Sequence, residues 1–199
     1  MESKHKNALI GALLAVVFVM AVGYAAFAQL LTINGTATID SSWDVHFDPN
    51  QDTASPTMGT GGTVQPTGTI AYSEGNTVAT LTANLKQPGD EVSFTLKPSN
   101  YGSLAAKAQA YPTIVAADDE TGSLTFSNDN HTATKGNIQW DIVSFSNKTS
   151  LEGANSTTVA DANQDTIVVK ASFIGGQNQA VEAQQSAKIK ITINYQQTA

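Results

Sequence analysis

From Leu31 to Phe47, apolar and polar residues take turns. Leu31, Ile33, Gly35, Ala37, Ile39, Trp43, Val45 and Phe47 fall on one parity; Thr32, Asn34, Thr36, Thr38, Asp40, Ser42, Asp44 and His46 fall on the other. Successive side chains of a β-strand point to opposite faces, so this pattern suits one buried face of a sheet and no buried stripe of a helix. It predicts a long, half-buried ribbon over 29–47, bent near Ser41. The same period returns in Val92, Phe94 and Leu96, in Ile138, Trp140 and Ile142, and in Ile167, Val169, Ala171 and Phe173. It is cleanest in Ile189, Ile191, Ile193 and Tyr195, with Lys188 and Lys190 facing outward.

Turn residues divide these runs. Residues 48–68 carry Pro49, Pro56, Pro66 and the Gly59-Thr60-Gly61-Gly62 cluster, which predicts a long surface loop. Strands are then expected at 69–72, 77–85, 92–96, 104–113, 123–126, 138–145, 166–174 and 187–195, with tight turns at Ser73-Glu74-Gly75-Asn76, Pro88-Gly89-Asp90 and Asn100-Tyr101-Gly102-Ser103. Alanines make 104–113 readable as a helix, but its alternation and Pro112 favour a strand. Eight or nine short strands, with no internal repeat, describe an all-β chain: a single β-sandwich of jelly-roll type over 69–199, completed by the ribbon.

Ahead of the ribbon, Lys4, His5 and Lys6 precede an apolar run from Ala8 to Ala28 that ends in small residues. Ala26 and Ala28 occupy the −3 and −1 positions of a signal-peptidase site, with Gln29 as the new N-terminus. About 20 apolar residues also suffice to span a bilayer, so a retained anchor is the alternative for 1–28. On either reading the remainder is expected outside the cell, as a secreted or cell-surface protein.

The roughly 170 residues after Ala28 are enough for one domain with a real core. There is no cysteine, so packing and sheet hydrogen bonds must supply the stability. Arginine is absent and the net charge is −7, which excludes the clustered positive surface that nucleic acid requires.

Three segments in order carry a family resemblance: Asn84-Leu85-Lys86-Gln87-Pro88-Gly89-Asp90, the strand Val92-Ser93-Phe94-Thr95-Leu96, and Asn100-Tyr101-Gly102-Ser103-Leu104. Together they resemble the TasA/camelysin family of exported bacterial matrix proteins, to which archaeal bundling-pilus subunits are also similar. The end of the apolar run, Gly23 to Ala28, and a last strand ending at Gln196 are similar too. Gln87 is an extra residue relative to the usual pattern, and the motif core covers about 20 residues, each piece a common turn or strand by itself. The resemblance implies a jelly-roll subunit of an extracellular fibre, pilus or biofilm matrix whose partners are other copies of itself. Subunits of that kind join by donor-strand exchange, which points to Leu31, Ile33, Gly35, Ala37 and Ile39 as the assembly face. An ordinary intramolecular first strand is the alternative for that segment.

The camelysin side of the family also raises a metallopeptidase, which needs two or three zinc-binding histidines and a partnered Glu. His46 and His131 stand far apart in sequence without that spacing, and both read as solvated surface residues. With no Cys and no Gly-x-Ser-x-Gly, the chain is expected not to be an enzyme and to need no cofactor or metal. Asp161-Ala162-Asn163-Gln164-Asp165 has the 1-3-5 spacing of a calcium loop but lacks its Gly and its closing Glu, so it reads as an Asx-rich turn. Asp118-Asp119-Glu120 reads as a charged loop tip. Asn34, Asn130, Asn147 and Asn155 begin glycosylation sequons, as chance alone provides in so Asn/Thr-rich a chain. A monomeric adhesin or S-layer accessory module is the rival to a fibre subunit.

Overall fold

Apolar side chains from alternate positions of successive strands converge on one core. The computed structural model describes residues 5, 7, 11–17, 19–20, 41–154, 156–157, 159–175 and 183–198. The strands are β1 Val45–Phe47, β2 Thr53–Thr57, β3 Thr67–Ser73, β4 Val78–Leu85, β5 Glu91–Leu96, β6 Pro98–Asn100 and β7 Ala106–Ala108. They continue with β8 Thr113–Ala116, β9 Thr125–Phe126, β10 Thr132–Lys135, β11 Ile138–Phe145, β12 Ile167–Phe173, β13 Gln185–Thr192 and β14 Tyr195–Gln197. Residues 11–17 and 19–20 are helical, and no helix among the described residues is long and apolar enough to cross a membrane. Residues 1–39 and 40–199 form separate units.

Within the second unit the chain is all-β. One sheet has six strands in the order β2-β5-β12-β11-β10-β9 and the other four, β3-β4-β13-β8; every pairing is antiparallel. Two short ribbons, β1-β6 and β14-β7, complete the set. Period two explains the layering: Ala79, Leu81, Ala83 and Leu85 of β4 and Ala187, Ile189 and Ile191 of β13 are buried, as are Val92, Phe94 and Leu96 of β5 and Ile167, Val169, Ala171 and Phe173 of β12. They form one cluster with Trp140, whose rings lie 5.5 Å from Phe94. Full burial of each large aliphatic side chain is worth about 1.5–3 kcal/mol, so this cluster dominates the stability of the domain.

Several expectations need correction. The loop expected over 48–68 contains β2, with Pro56 standing opposite Val92; an edge strand tolerates a missing N–H because one of its sides has no partner. The strand expected over 104–113 shrinks to β7, and the chain pairs again from Thr113 as β8, beyond Pro112. Strands β6 and β10 are additional. Of the ribbon, only Val45–Phe47 is a strand among residues 41–47, and Trp43 is 46% exposed although it shares the parity of the buried Phe47. The proposed cleavage site at Ala26, Ala28 and Gln29 and the assembly face Leu31, Ile33, Gly35, Ala37 and Ile39 lie outside the described residues.

Candidate functional site

The turn residues singled out from the sequence are fasteners. At the first turn, Gly89 takes the left-handed φ of +86° that lets the chain reverse, and this aims the fully buried Asp90 carboxylate inward. That carboxylate accepts the backbone N–H groups of Gly59 (2.9 Å), Lys86 (2.9 Å) and Gln87 (3.2 Å). It thereby ties the residues between β2 and β3 to the β4–β5 hairpin. A Cβ on Gly59 would lie 2.3 Å from the Pro88 carbonyl oxygen, so only glycine allows this approach.

The second turn holds the start of the folded unit. Tyr101 and Gly102 donate their N–H groups to the Asp44 carbonyl (2.8 and 3.2 Å), and Ser103 donates its own to that of Ser42 (3.0 Å). In return Ser42 N–H donates to Ser103 Oγ at 2.9 Å. Gly102 is required, since a Cβ there would meet Ser42 O at 2.4 Å. Asn100 is fully buried and donates to the Leu104 and Leu151 carbonyls while accepting from Gly102 N–H. Both turns legible in the sequence therefore fasten distant stretches of backbone, and the second holds the chain at Ser42 and Asp44.

The four edges of the two larger sheets differ in how they are protected. In the six-stranded sheet, β2 carries Pro56 and β9 has 2 residues. On the four-stranded sheet, Ile114 of β8 donates its N–H to the Asn130 carbonyl at 2.7 Å, across to the turn before β10. Strand β3 runs for 7 residues without proline, charge or bulge, in unbroken register from Thr67↔Asn84 to Ser73↔Val78. Its outward row (Thr67, Thr69, Ala71, Ser73) is exposed, and its inward row (Gly68, Ile70, Tyr72) is only half-buried, although Ile70 and Tyr72 pack against the core. Gly68 lets β3 close on the opposite sheet, where a Cβ would lie 2.4 Å from Val92 Cγ1. Farther along, the Tyr72 hydroxyl donates to Asp52 Oδ2 at 2.7 Å, and Lys97 N–H donates to Asp52 Oδ1 at 2.6 Å. Burial outweighs these bonds and pushes the Asp52 carboxyl up to about 6.

No family model matches the chain, and neither a curated protein nor a solved structure matches it. What the edges and turns can do follows from their own chemistry.

The histidines are less solvated than expected. His46 stacks on Tyr101 with ring centroids 4.3 Å apart and an Nδ1–Asp44 contact of 2.7 Å, while His131 lies against Tyr111 with Nδ1 3.1 Å from Asp129. Flat rings gain by covering one another, which sequence parity does not register. Around His46 and Tyr101 runs a groove of about 750 Å³, lined also by Asp44, Asp48, Asn50 and Asn76. Burial, and then the hydrogen bond to Asp48, hold the Tyr101 phenol above its usual range. Among the described residues no group of three or more His, Cys, Asp or Glu could hold a metal.

The remaining acidic motifs are partnered internally. Asp118 meets Lys190 at 2.7 Å, Asp119 meets Lys188, and Glu120 meets Lys135 at 2.6 Å. Burial opposes ionisation of Glu120, but the Lys135 and Ser123 hydrogen bonds prevail and hold its carboxyl below the usual value. Asp161–Asn163 forms a single 3-10 turn, and the buried Asp165 accepts from Ser146 Oγ (2.6 Å), Lys148 N–H (2.9 Å) and Tyr195 Oη (2.9 Å). Asn130 and Asn147 are exposed at turns of positive φ; Asn34 and Asn155 lie outside the described residues.

Proposed function

We propose that this chain is a secreted structural subunit of an extracellular fibre, pilus or biofilm matrix, without enzymatic activity, in which the Gln29–Ile39 segment of one copy completes a sheet of the next. We read the sandwich as jelly-roll type. The observation that carries the proposal is a sheet that stops short: β3 has no second neighbour among the described residues, yet Ile70 and Tyr72 on its inner face remain half-exposed. Unpaired backbone beside incompletely covered apolar side chains is what an added strand satisfies. The alternating 29–39 segment has the period to do so. Support also comes from the turn residues at 84–104, on which the resemblance to exported matrix proteins rests.

Electron microscopy of the exported protein tests this reading. Filaments are expected, and they should vanish on deletion of residues 29–39 while circular dichroism still reports a folded β-domain. Loss of the fold itself on deletion would instead make the segment an intrinsic first strand. A monomeric surface-binding module is the rival, favoured by the polar and aromatic groove around His46 and Tyr101. Uniform monomers that bind a surface glycan through this groove would support it.

A further inference from the structure

We propose that the outer edge of β3 is the acceptor for the Gln29–Ile39 segment of a second copy of this chain, which rests on the strand-donation reading and adds where the strand is received. Of the four edges of the two larger sheets, three are blunted, by Pro56 in β2, by a length of 2 residues in β9 and by the Asn130 carbonyl on the Ile114 N–H of β8. Proline, shortness and a covering loop are the devices by which sheets refuse another strand. Of those four edges only β3 uses none of them, and no charged side chain stands along it.

The occupant follows from matching rows. The segment 29–39 is likewise uncharged, with Thr32, Asn34, Thr36 and Thr38 on one face and Ile33, Gly35, Ala37 and Ile39 on the other. Beside β3 its polar face extends the exposed row Thr67, Thr69, Ala71 and Ser73, and its apolar face extends Gly68, Ile70 and Tyr72 over the core. An antiparallel register with Thr36 opposite Ala71 sets Gly35 beside Tyr72, Ala37 beside Ile70 and Ile39 beside Gly68. Along β3 each bulky side chain then lies beside a small one, with Tyr72 covering Gly35 as aromatic side chains cover strand glycines. In the sequence the segment ends three residues before Ser42, which the Gly102–Ser103 turn holds by backbone hydrogen bonds.

Because the chain has no cysteine, engineered thiols report pairing cleanly. Exported full-length protein carrying Ala71→Cys is mixed with protein carrying Thr36→Cys, Asn34→Cys or Thr38→Cys, assembled, and oxidised mildly. A disulfide needs Cα atoms within about 7 Å, so the expected result is about tenfold more mixed dimer, by intact mass, from Ala71→Cys than from Val115→Cys on β8. Thr69→Lys with Ala71→Lys, both on exposed positions, should abolish filaments and leave the monomer's melting temperature unchanged. Filaments that form normally in the lysine variant, or that crosslink at Val115 and not at Ala71, would overturn the β3 assignment and leave strand donation standing. A Thr36→Cys/Ala71→Cys double variant that closes only on itself would also overturn it, since the segment would then occupy its own β3. Absence of filaments from the unaltered protein would overturn the underlying reading as well.

Discussion

Asp90 gathers three backbone N–H groups from two loops on one buried carboxylate. Each buried donor left without a partner costs about 1–3 kcal/mol, so Asp90→Ala should lower unfolding free energy by about 3 kcal/mol or more in a denaturant titration. Asp90→Asn, which keeps one acceptor oxygen, should lose less. Asp52 makes the opposite kind of contribution. Its carboxyl titrates at about 6 in the folded chain against 3.8 ordinarily, so the folded state holds more protons between those values. Stability is therefore greatest below the lower value, declines as pH rises through about 6, and stays reduced above it. Asp52→Asn should remove that decline, as thermal melts across the acidic range would show; an unchanged slope would mean another group causes it.

At the scale of elements, β1 is held by backbone contacts as well as by its buried Phe47 side chain. It pairs with β6, Val45↔Asn100 to Phe47↔Pro98, Phe47 N–H reaches the Asn76 carbonyl, and its lead-in lies on the bare Cα of Gly102. Gly102→Ala forces Ser42 and Asp44 to move, and overpacking of this kind costs about 1–3 kcal/mol. The expected signature is faster hydrogen exchange at Tyr101, Gly102 and Ser103 than elsewhere in the sandwich, with β4 and β5 amides still protected. A uniform rise across all strands would show that the turn supports the whole core and not the chain exit. Strand β2 teaches a related lesson: Pro56 marks where pairing stops on one side, and it still permits pairing on the other.

For the molecule as a whole, a net charge of −7 sets the conditions of self-association. Like-charged copies repel over a Debye length of about 8–10 Å near physiological salt, so raising ionic strength should speed filament growth measured by light scattering. Growth that slows with salt would point instead to ion pairs across the contact. The layers themselves were legible in the sequence: strict alternation selected strands over helices and named buried residues of β5, β11, β12 and β13, because a period of two leaves one face to bury. Turn chemistry likewise identified Pro88-Gly89-Asp90 and Asn100 to Ser103, since positive φ and close approach depend on local residue types. What those turns fasten, and which edges are blunted, only the tertiary structure decided. Gly59 meets Asp90 across 31 residues and the Ile114 N–H finds the Asn130 carbonyl in the turn between β9 and β10. Contacts so distant along the chain leave no mark in local periodicity, which records the face a side chain takes and not the neighbour it meets.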